Sequence, residues 1–169
     1  MKTLIFDSTS LIYLSKARIL EKISKLKTKN IIPSHVYQEV VEQGKNFGFV
    51  DALYIENVVK NKLFETREFK IESIFLINDN LSFADSEVLS AAKQLNATAL
   101  IDESVARYIA TLNGINLGGT VYILFLLLKN NIITKNEFRQ ILEMIINFGW
   151  RCSTELYIEI LNALEKLNP

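Results

Sequence analysis

The chain has 169 residues, of which 49% are hydrophobic, and its 19 basic and 19 acidic side chains cancel to zero net charge. This hydrophobic share, with only six glycines and two prolines, predicts one compact globular protein and excludes an intrinsically disordered chain. Zero net charge also excludes the global positive field that attracts nucleic acids without specificity, so any nucleic-acid partner must be held locally.

The first predicted element is a strand at residues 3–6, an apolar run that ends at Asp7. The hydroxyl residues at 8–10 can accept a hydrogen bond from a backbone N–H group, which favours the start of a helix there. The same order recurs at residues 30–32, where a second strand leads into a helix that we expect to end at Gly44.

In the middle of the chain, Ser82 and Asp85 have the spacing of a capping box that opens a helix. Residues 97–101 then predict a strand that ends in Asp102. The helix after this strand is expected to stop at Gly114, because glycine is common just past a helix end. Elements with weaker patterns are expected at residues 50–59, 64–69 and 71–77.

The last part of the chain is predominantly helical. A short predicted strand precedes Thr120, which suits the N-cap of the strongly apolar helix after it. Two amphipathic helices follow, near residues 138–148 and 156–164. The alternation of strands and helices predicts an α/β fold with a parallel sheet. We expect a core at residues 1–131 and a helical extension at 132–169, packed together as a single compact unit.

Cysteine and histidine usage limits the kind of metal site. The chain has one cysteine and one histidine, which excludes an intrachain disulfide and a Cys/His metal cluster, so any metal must rely on carboxylates. The longest apolar run, residues 121–128, is far shorter than the roughly 20 residues of a membrane-spanning helix. The apolar stretch before Asp7 is too short for a secretory signal. We therefore expect a cytoplasmic protein with no membrane partner.

Two acids, Asp7 and Asp102, each end a predicted strand. Ligands of open parallel sheets bind outside the carboxyl ends of the strands, so these acids converge if their strands are neighbours. Carboxylates held close together repel one another, and a bound cation is the usual reason for grouping them. Glu103 should point to the other side of the strand from Asp102, so at most one of the two is a direct ligand. The alternative is that each acid caps the following helix.

Helical position selects two further acids. Asp85 borders the apolar face of its predicted helix, whereas the helical neighbours of Glu87 are Ser, Ala and Gln, so we expect Glu87 to be solvated. By the same test, Glu39 lies beside valines and Glu42 lies on a polar face. The pattern therefore favours Glu39 and Asp85 as members of the acidic cluster.

Four segments that contain these acids occur in a recognisable order. They are IFDSTSLIYLSK at residues 5–16, IPSHVYQEV at 32–40, ADSEVLSAAKQL at 84–95 and IDESVARYIA at 101–110. In this order they resemble the successive acidic motifs of PIN domains. The later segments LGGTVYILFLLLKNNII and NFGWRCSTELYIEIL are similar to a VapC-related, uncharacterised PIN-like branch found in prokaryotes. The resemblance covers nearly the whole chain.

The resemblance implies a PIN-like α/β fold and a ribonuclease that hydrolyses phosphodiester bonds of single-stranded RNA with Mg²⁺ or Mn²⁺. It also implies three partners: the RNA substrate, a small antitoxin protein that restrains a toxin, and a second copy of the chain in a homodimer. The resemblance implies that four acids are both the metal ligands and the catalytic residues: Asp7, Glu39, Asp85 and Asp102. The residues in supporting positions are Thr9, Glu103, Ser104 and Arg107.

Two observations leave another function open. Ala84 and Asp85 stand where this branch often has a Gly-Glu pair, and the net charge of the chain is zero. A PIN-fold protein that no longer cuts, and instead binds RNA or another protein, is therefore the main alternative. Glu103 stands in place of the second acid of an Asp-Asp pair, which leaves open whether Asp102 or Glu103 is the ligand. A phosphatase-like hydrolase with Asp7 as its nucleophile is disfavoured, because Thr9 stands where that class has a second acid.

Several polar and aromatic residues outside the acidic set have ordinary structural interpretations. His35 lies in the first turn of a predicted helix and is expected at the surface. Trp150 is expected to anchor the helical extension by packing. Gly118 and Gly119 predict an ordinary turn, and Arg107 predicts either an ion pair or a phosphate contact.

Overall fold

The fold is a parallel sheet with helices around it, seen in a computed structural model that describes residues 1–77 and 79–167. Its strands are β1 (Lys2–Phe6), β2 (Thr28–Pro33), β3 (Glu65–Arg67), β4 (Thr98–Leu100) and β5 (Asn116–Gly118). All neighbouring strands pair in parallel, and their order across the sheet is β3-β2-β1-β4-β5. The predicted α/β fold is therefore confirmed.

Helices account for most of the remaining described residues, and one segment, Gln38–Gln43, is π-helical. The α-helices are α1 (Ser8–Lys16), α2 (Leu20–Ile23), α3 (Ser34–Tyr37), α4 (Gly44–Asn46), α5 (Val50–Lys60), α6 (Ser73–Leu76), α7 (Phe83–Gln94), α8 (Ser104–Leu112), α9 (Thr120–Lys129), α10 (Lys135–Asn147) and α11 (Thr154–Lys166). Within the described ranges, no helix has both the length and the apolar character needed to cross a membrane.

Strand β1 is the central strand and sets the geometry of the site. It pairs with β2 from Lys2 opposite Thr28, and with β4 up to Phe6 opposite Leu100. Its last three residues are fully buried, as expected for a parallel strand covered on both faces. Because β1, β2 and β4 run in the same direction, the residues that follow them meet at one edge of the sheet.

Two helix starts differ from the sequence prediction. Helix α1 begins at Ser8, and its N-cap is Asp7, whose side chain accepts a hydrogen bond from the Ser10 N–H group. Helix α9 begins at Thr120, and the N-cap is Gly119, with an extended backbone and no side-chain cap of its own. In both cases the hydroxyl residues expected to cap the helix lie inside its first turn.

The predicted helix end at Gly44 is wrong. The chain continues from α3 through the π-helical segment into α4, and the left-handed conformation belongs to Gly48, with a φ of 77°. A Cβ atom on Gly44 would lie 2.9 Å from the Cβ atom of Ala52 in α5. Gly44 is therefore needed for close packing of two helices.

Other predicted helix boundaries are confirmed. Ser82 and Asp85 form a reciprocal capping box at the start of α7. Gly114 follows the end of α8 with a φ of 65°, as expected for a residue just beyond a helix. These boundaries depend on residues three or fewer positions apart, so the sequence pattern was sufficient to predict them.

The two C-terminal amphipathic helices are present as α10 and α11. The inner face of α10 is buried, and its Phe138 ring lies 4.8 Å from the Phe125 ring of α9. A salt bridge of 2.7 Å joins Glu137 of α10 to Lys22 of α2. The apolar face of α9 is thus covered within one chain and needs no second subunit to bury it. The division into a core at 1–131 and an extension at 132–169 stays a prediction.

Candidate functional site

The candidate site lies at the carboxyl edge of β1 and β4. Asp7 follows β1 directly, and its backbone N–H group donates a hydrogen bond of 3.2 Å to the carbonyl oxygen of Leu100, the last residue of β4. Asp102 lies two residues beyond that carbonyl. The sheet therefore brings Asp7 and Asp102 to adjacent strand ends, as their positions in the sequence predicted.

Asp7 has the most perturbed environment of the acids at this edge. Its side chain is 2% exposed, and Oδ1 accepts a hydrogen bond of 2.7 Å from the Ser10 N–H group. Burial raises the pKa of Asp7 from 3.8 to about 7, and the hydrogen bonds from Ser10 oppose this rise. The negative charges of Asp102 and Asp85 add to it. Asp7 is therefore a buried acid within electrostatic reach of two others.

Three donors hold the Asp102 carboxylate in place. Oδ1 accepts a hydrogen bond of 2.9 Å from the Thr120 N–H group, and Oδ2 accepts one from the Thr120 hydroxyl. Oδ2 also accepts a hydrogen bond of 3.0 Å from the indole N–H group of Trp150. A Cβ atom on Gly119 would lie 2.4 Å from Oδ1 of Asp102. Asp102 thus caps α9 from outside, and only glycine leaves space for it.

Glu39 approaches the edge from the π-helical segment Gln38–Gln43. Its Oε2 atom accepts a hydrogen bond of 2.6 Å from the hydroxyl of Ser8, the residue after Asp7. This contact joins Glu39 to the end of β1. Short π-helical segments are rare and frequently occur at functional sites. This segment contains both Glu39 and Glu42, so the contact with Ser8, and not the π-helix, distinguishes Glu39.

Asp85 lies in the first turn of α7 and is half-buried. Its Oδ2 atom accepts hydrogen bonds from the hydroxyl of Ser82 at 2.7 Å and from the Ser82 N–H group at 3.3 Å. The capping box therefore uses the carboxylate that the sequence places in the acidic cluster. Its charge still raises the pKa of Asp7, so Asp85 is close enough to act electrostatically on the centre of the site.

These four acids fit a hard cation by chemistry, since Mg²⁺ and Mn²⁺ prefer carboxylate oxygens. Among the described residues, however, no three Asp, Glu, His or Cys side chains converge closely enough to hold a metal ion. Each carboxylate instead accepts hydrogen bonds from donors of its own. Those donors are Ser8, Ser10, Ser82, Thr120 and Trp150.

The four supporting residues have separate places. Glu103 is exposed and caps α8 by accepting a hydrogen bond of 2.8 Å from the Ala106 N–H group, and the Ser104 hydroxyl lies 3.3 Å from it. The Arg107 guanidinium donates hydrogen bonds of 2.7 Å to the carbonyl oxygens of Ile101 and Gly118. Arg107 therefore bridges the ends of β4 and β5, and its predicted phosphate contact stays a prediction. Thr9 lines a cavity next to Asp102.

The prediction that Glu87 is solvated is wrong. Its side chain is fully buried, and its carboxylate accepts hydrogen bonds from the Ser34 hydroxyl at 3.0 Å and from the backbone N–H groups of His35 at 2.7 Å and Phe69 at 2.9 Å. His35 Nδ1 also lies 2.9 Å from Oε2 of Glu87. The sequence argument compared Glu87 only with its own helix, whereas these donors come from α3 and the segment after β3.

Comparison with known proteins gives the family. A family model described as DUF3368, PIN domain, matches residues 3–166. The chain belongs to the PIN-domain family. No curated protein matches the sequence. PIN domains are generally nucleases and typically bind divalent metal ions, which fits an acidic site at the carboxyl edge of the sheet.

One solved structure shares the fold of this chain. It is a domain of a functionally unknown protein from Methanocaldococcus jannaschii DSM 2661, with a TM-score of 0.50 and 19% sequence identity. The match covers 70% of this chain and 91% of that domain. At this identity the likeness concerns the fold alone. The family match confirms the PIN resemblance seen in the sequence, and the relation to the VapC-related branch stays a prediction.

A cavity of about 750 Å³ adjoins the acidic edge of this PIN domain. It lies beyond Asp102, between the start of α8, the first turn of α9 and the segment that joins α10 to α11. Asp102, Thr9 and Trp150 belong to its lining. The sequence analysis did not predict this cavity, because its walls come from five separate parts of the chain.

Proposed function

We propose that this PIN domain is a metal-dependent ribonuclease that hydrolyses phosphodiester bonds of single-stranded RNA. Asp7, Glu39, Asp85 and Asp102 are its catalytic residues and hold Mg²⁺ or Mn²⁺. The observation that carries the proposal is the environment of Asp7, a buried carboxylate whose pKa is raised further by the charges of Asp102 and Asp85. Acids grouped in this way are costly without a counterion and suit a cation site.

Each residue has its own role in such a metal site. Asp7 supplies a buried ligand at its centre, and Ser8 directs the Glu39 carboxylate towards it. Thr120 and Trp150 fix the orientation of Asp102, as outer hydrogen-bond partners commonly do for metal ligands. When bound, a divalent cation supplies an activated water and neutralises charge on the attacked phosphate. Asp85 completes the ligand set by leaving its capping contact with Ser82.

The first test is cleavage of single-stranded RNA by highly purified protein in Mn²⁺, with a chelator as the reference. Asp7→Asn should abolish cleavage, because it removes a negative ligand with little change in shape. Glu39→Gln should reduce cleavage at least about 100-fold by the usual size of such losses. Cleavage that survives the chelator, or an unchanged rate in Asp7→Asn, would refute the proposal.

Glu42→Gln is the matched control for Glu39→Gln. Glu42 lies in the same π-helical segment, and its side chain is exposed. The same chemical change is therefore made three residues away, outside the acidic edge. We expect the cleavage rate of Glu42→Gln to equal that of the unmodified protein. Equal losses in the two variants would mean that the segment, and not the Glu39 carboxylate, is required.

A PIN-fold module that binds RNA or a protein without cutting is the second candidate function. It is favoured by the local hydrogen bonds of the carboxylates, which do not converge on a metal position among the described side chains. The same experiment separates the two candidates. RNA binding with no Mn²⁺-dependent cleavage, and with no change in Asp7→Asn, would support the module.

The resemblance to the VapC-related branch extends the proposal to a biological role. We place the ribonuclease in the cytoplasm as a toxin that a small antitoxin protein restrains. Expression of the chain alone should arrest growth, and Asp7→Asn should remove the arrest. A homodimer is the expected assembly, although α9 is buried without one. Light scattering that gives a single 19.3 kDa species would exclude the dimer.

A further inference from the structure

The cavity beside Asp102 has the dimensions of a ligand site. Its volume of about 750 Å³ lies within the range of about 300 to 1,000 Å³ that is usual for small-molecule pockets. It is continuous with the proposed catalytic edge, because Asp102 and Thr9 line both. A group bound in the cavity would therefore lie next to the phosphate on which the carboxylates act.

The walls of the cavity suit a flat, partly apolar ring. Tyr13 and Tyr122 contribute half-buried aromatic side chains, and Leu156 and Ile160 of α11 contribute aliphatic ones. The indole of Trp150 is 8% exposed and forms part of the lining. Bases of single-stranded RNA are commonly recognised by stacking on aromatic side chains and by hydrogen bonds to their edges.

The charges around the cavity suit an anionic strand. Lys16 Nζ lies 5.7 Å from the centre of the Tyr13 ring, and Lys2 Nζ lies 4.8 Å from the centre of the Tyr122 ring. Arg107 and Arg151 belong to the lining together with two acids, Asp102 and Glu103, and Lys2 and Lys16 add positive charge beside its tyrosines. Arg151 is exposed, and no described residue forms a hydrogen bond or ion pair with it. Its guanidinium is therefore available to a phosphate.

The other side of the acidic edge, next to β2, is negatively charged. Glu39 and Asp85 lie there with the buried carboxylate of Glu87 behind them. In the absence of a bound cation, an RNA strand that reaches Asp7 would meet stronger repulsion on that side than over the cavity.

We infer that the cavity binds one nucleobase of the RNA, next to the scissile phosphate, and that Arg151 contacts the adjoining phosphate. This inference rests on the proposed ribonuclease function and names the subsite that holds its substrate. The base lies between the tyrosine rings and the aliphatic side chains of α11. The C-terminal helices thereby form one wall of the substrate site.

Trp150 is the single tryptophan of the chain, so its fluorescence reports directly on the cavity. The probe is adenosine 5′-monophosphate, added to the full chain in the presence of a chelator. Ribose 5-phosphate, which lacks the base, is the reference ligand. We expect saturable quenching by the nucleotide and no saturable change with ribose 5-phosphate, because the base is the group that enters the cavity.

Two variants test the contacts. Arg151→Ala should raise the Kd of the nucleotide about five- to tenfold, the usual effect of losing one charge-assisted hydrogen bond. Leu156→Glu should raise it at least about tenfold, because it places a negative charge in the lining of the cavity beside the anionic nucleotide. Arg67→Ala is the matched control, because Arg67 is an exposed arginine at the opposite edge of the sheet, in β3. Its Kd should change less than about twofold.

The inference is overturned if both ligands quench alike or neither does, or if Arg151→Ala and Arg67→Ala weaken binding equally. RNA cleavage in Mn²⁺ is measured separately on the same protein. Base-dependent binding without cleavage would refute the proposed ribonuclease and leave the cavity as a subsite of an RNA-binding module. Cleavage without base-dependent binding would refute the cavity inference alone.

Discussion

The two sides of the acidic edge hold their carboxylates in different ways. On the β2 side, Asp85 is held by Ser82, three residues away, and Glu39 by Ser8. On the β4 side, Asp102 is held by Thr120 and by Trp150, which is 48 residues further along the chain. The orientation of Asp102 therefore depends on the C-terminal helices, whereas that of Asp85 depends on one helical turn. Removing the donors should affect the two sides unequally.

Asp7 lies between the two sides and should show the largest effect. Its pKa is about 7 in the folded protein, against an ordinary value of 3.8. Between these values the folded state holds a proton that the unfolded state has lost. The contribution of Asp7 to the stability of the metal-free protein should therefore be fully present below about pH 4 and be lost as pH rises to about 7, by about 4 kcal/mol in total. Urea unfolding measured from pH 4 to pH 8 checks this slope.

Asp7→Asn should remove that pH dependence. The amide oxygen can still cap α1 at Ser10, and the amide carries no charge to bury, so the variant should be the more stable protein at pH 8. Saturating Mn²⁺ should stabilise only the unmodified protein. A variant less stable than the unmodified protein at pH 8 would show that Asp7 acts mainly as a helix cap.

Replacing Glu87, on the β2 side, should have the next largest effect, which is a fall in the free energy of unfolding. Glu87→Gln replaces a buried carboxylate that accepts hydrogen bonds from Ser34, His35 and Phe69, and it turns an amide donor towards those donors. We expect the free energy of unfolding to fall by about 3 kcal/mol. Glu42→Gln, at an exposed position, serves as the reference. A loss below about 0.5 kcal/mol would contradict the buried network.

Trp150→Phe should have a smaller effect, mainly on the metal. The change keeps an aromatic ring for packing and removes the N–H group that bonds Asp102. We expect the Kd for Mn²⁺ to rise about tenfold, with a loss of stability of about 1 kcal/mol. Isothermal titration with Mn²⁺ measures the first quantity and urea unfolding the second.

Ser82→Ala is the counterpart on the β2 side. It removes the hydroxyl that caps α7 and directs Asp85, so it should also cost about 1 kcal/mol of stability. Because Asp85 must leave this contact to bind a cation, the affinity for Mn²⁺ should not fall. If Ser82→Ala weakens Mn²⁺ binding more than Trp150→Phe does, metal binding depends more on the donor of Asp85 than on the donor of Asp102, which would contradict this comparison of the two sides.

The sequence predicted those features whose partners lie close together in the chain. The strand ending at Asp7, the capping box of Ser82 and Asp85, and the turn at Gly114 each depend on a few neighbouring residues. The meeting of Asp7 and Asp102 was also predictable, because parallel strands place their carboxyl ends together.

The errors concern residues whose partners lie far away in sequence. Glu87 was expected in solvent because its donors, such as Ser34 at a separation of 53 residues, belong to other elements. Gly44 was expected to end a helix because Ala52, which requires its missing side chain, lies on another helix. The contact between Trp150 and Asp102 likewise has no pattern of spacing that could indicate it. Tertiary packing decides all three.

The π-helical segment Gln38–Gln43 also limits how this region can change in length during evolution. Its backbone hydrogen bonds span five residues, whereas those of an α-helix span four, so the segment holds one residue more than an α-helical turn. Losing one residue there would let the segment close as an α-helical turn and keep Gly44 opposite Ala52, whereas a length change between Gly44 and Ala52 would separate the pair. Relatives that keep this helix pair should therefore tolerate the loss of one residue within the segment more readily than a length change between Gly44 and Ala52.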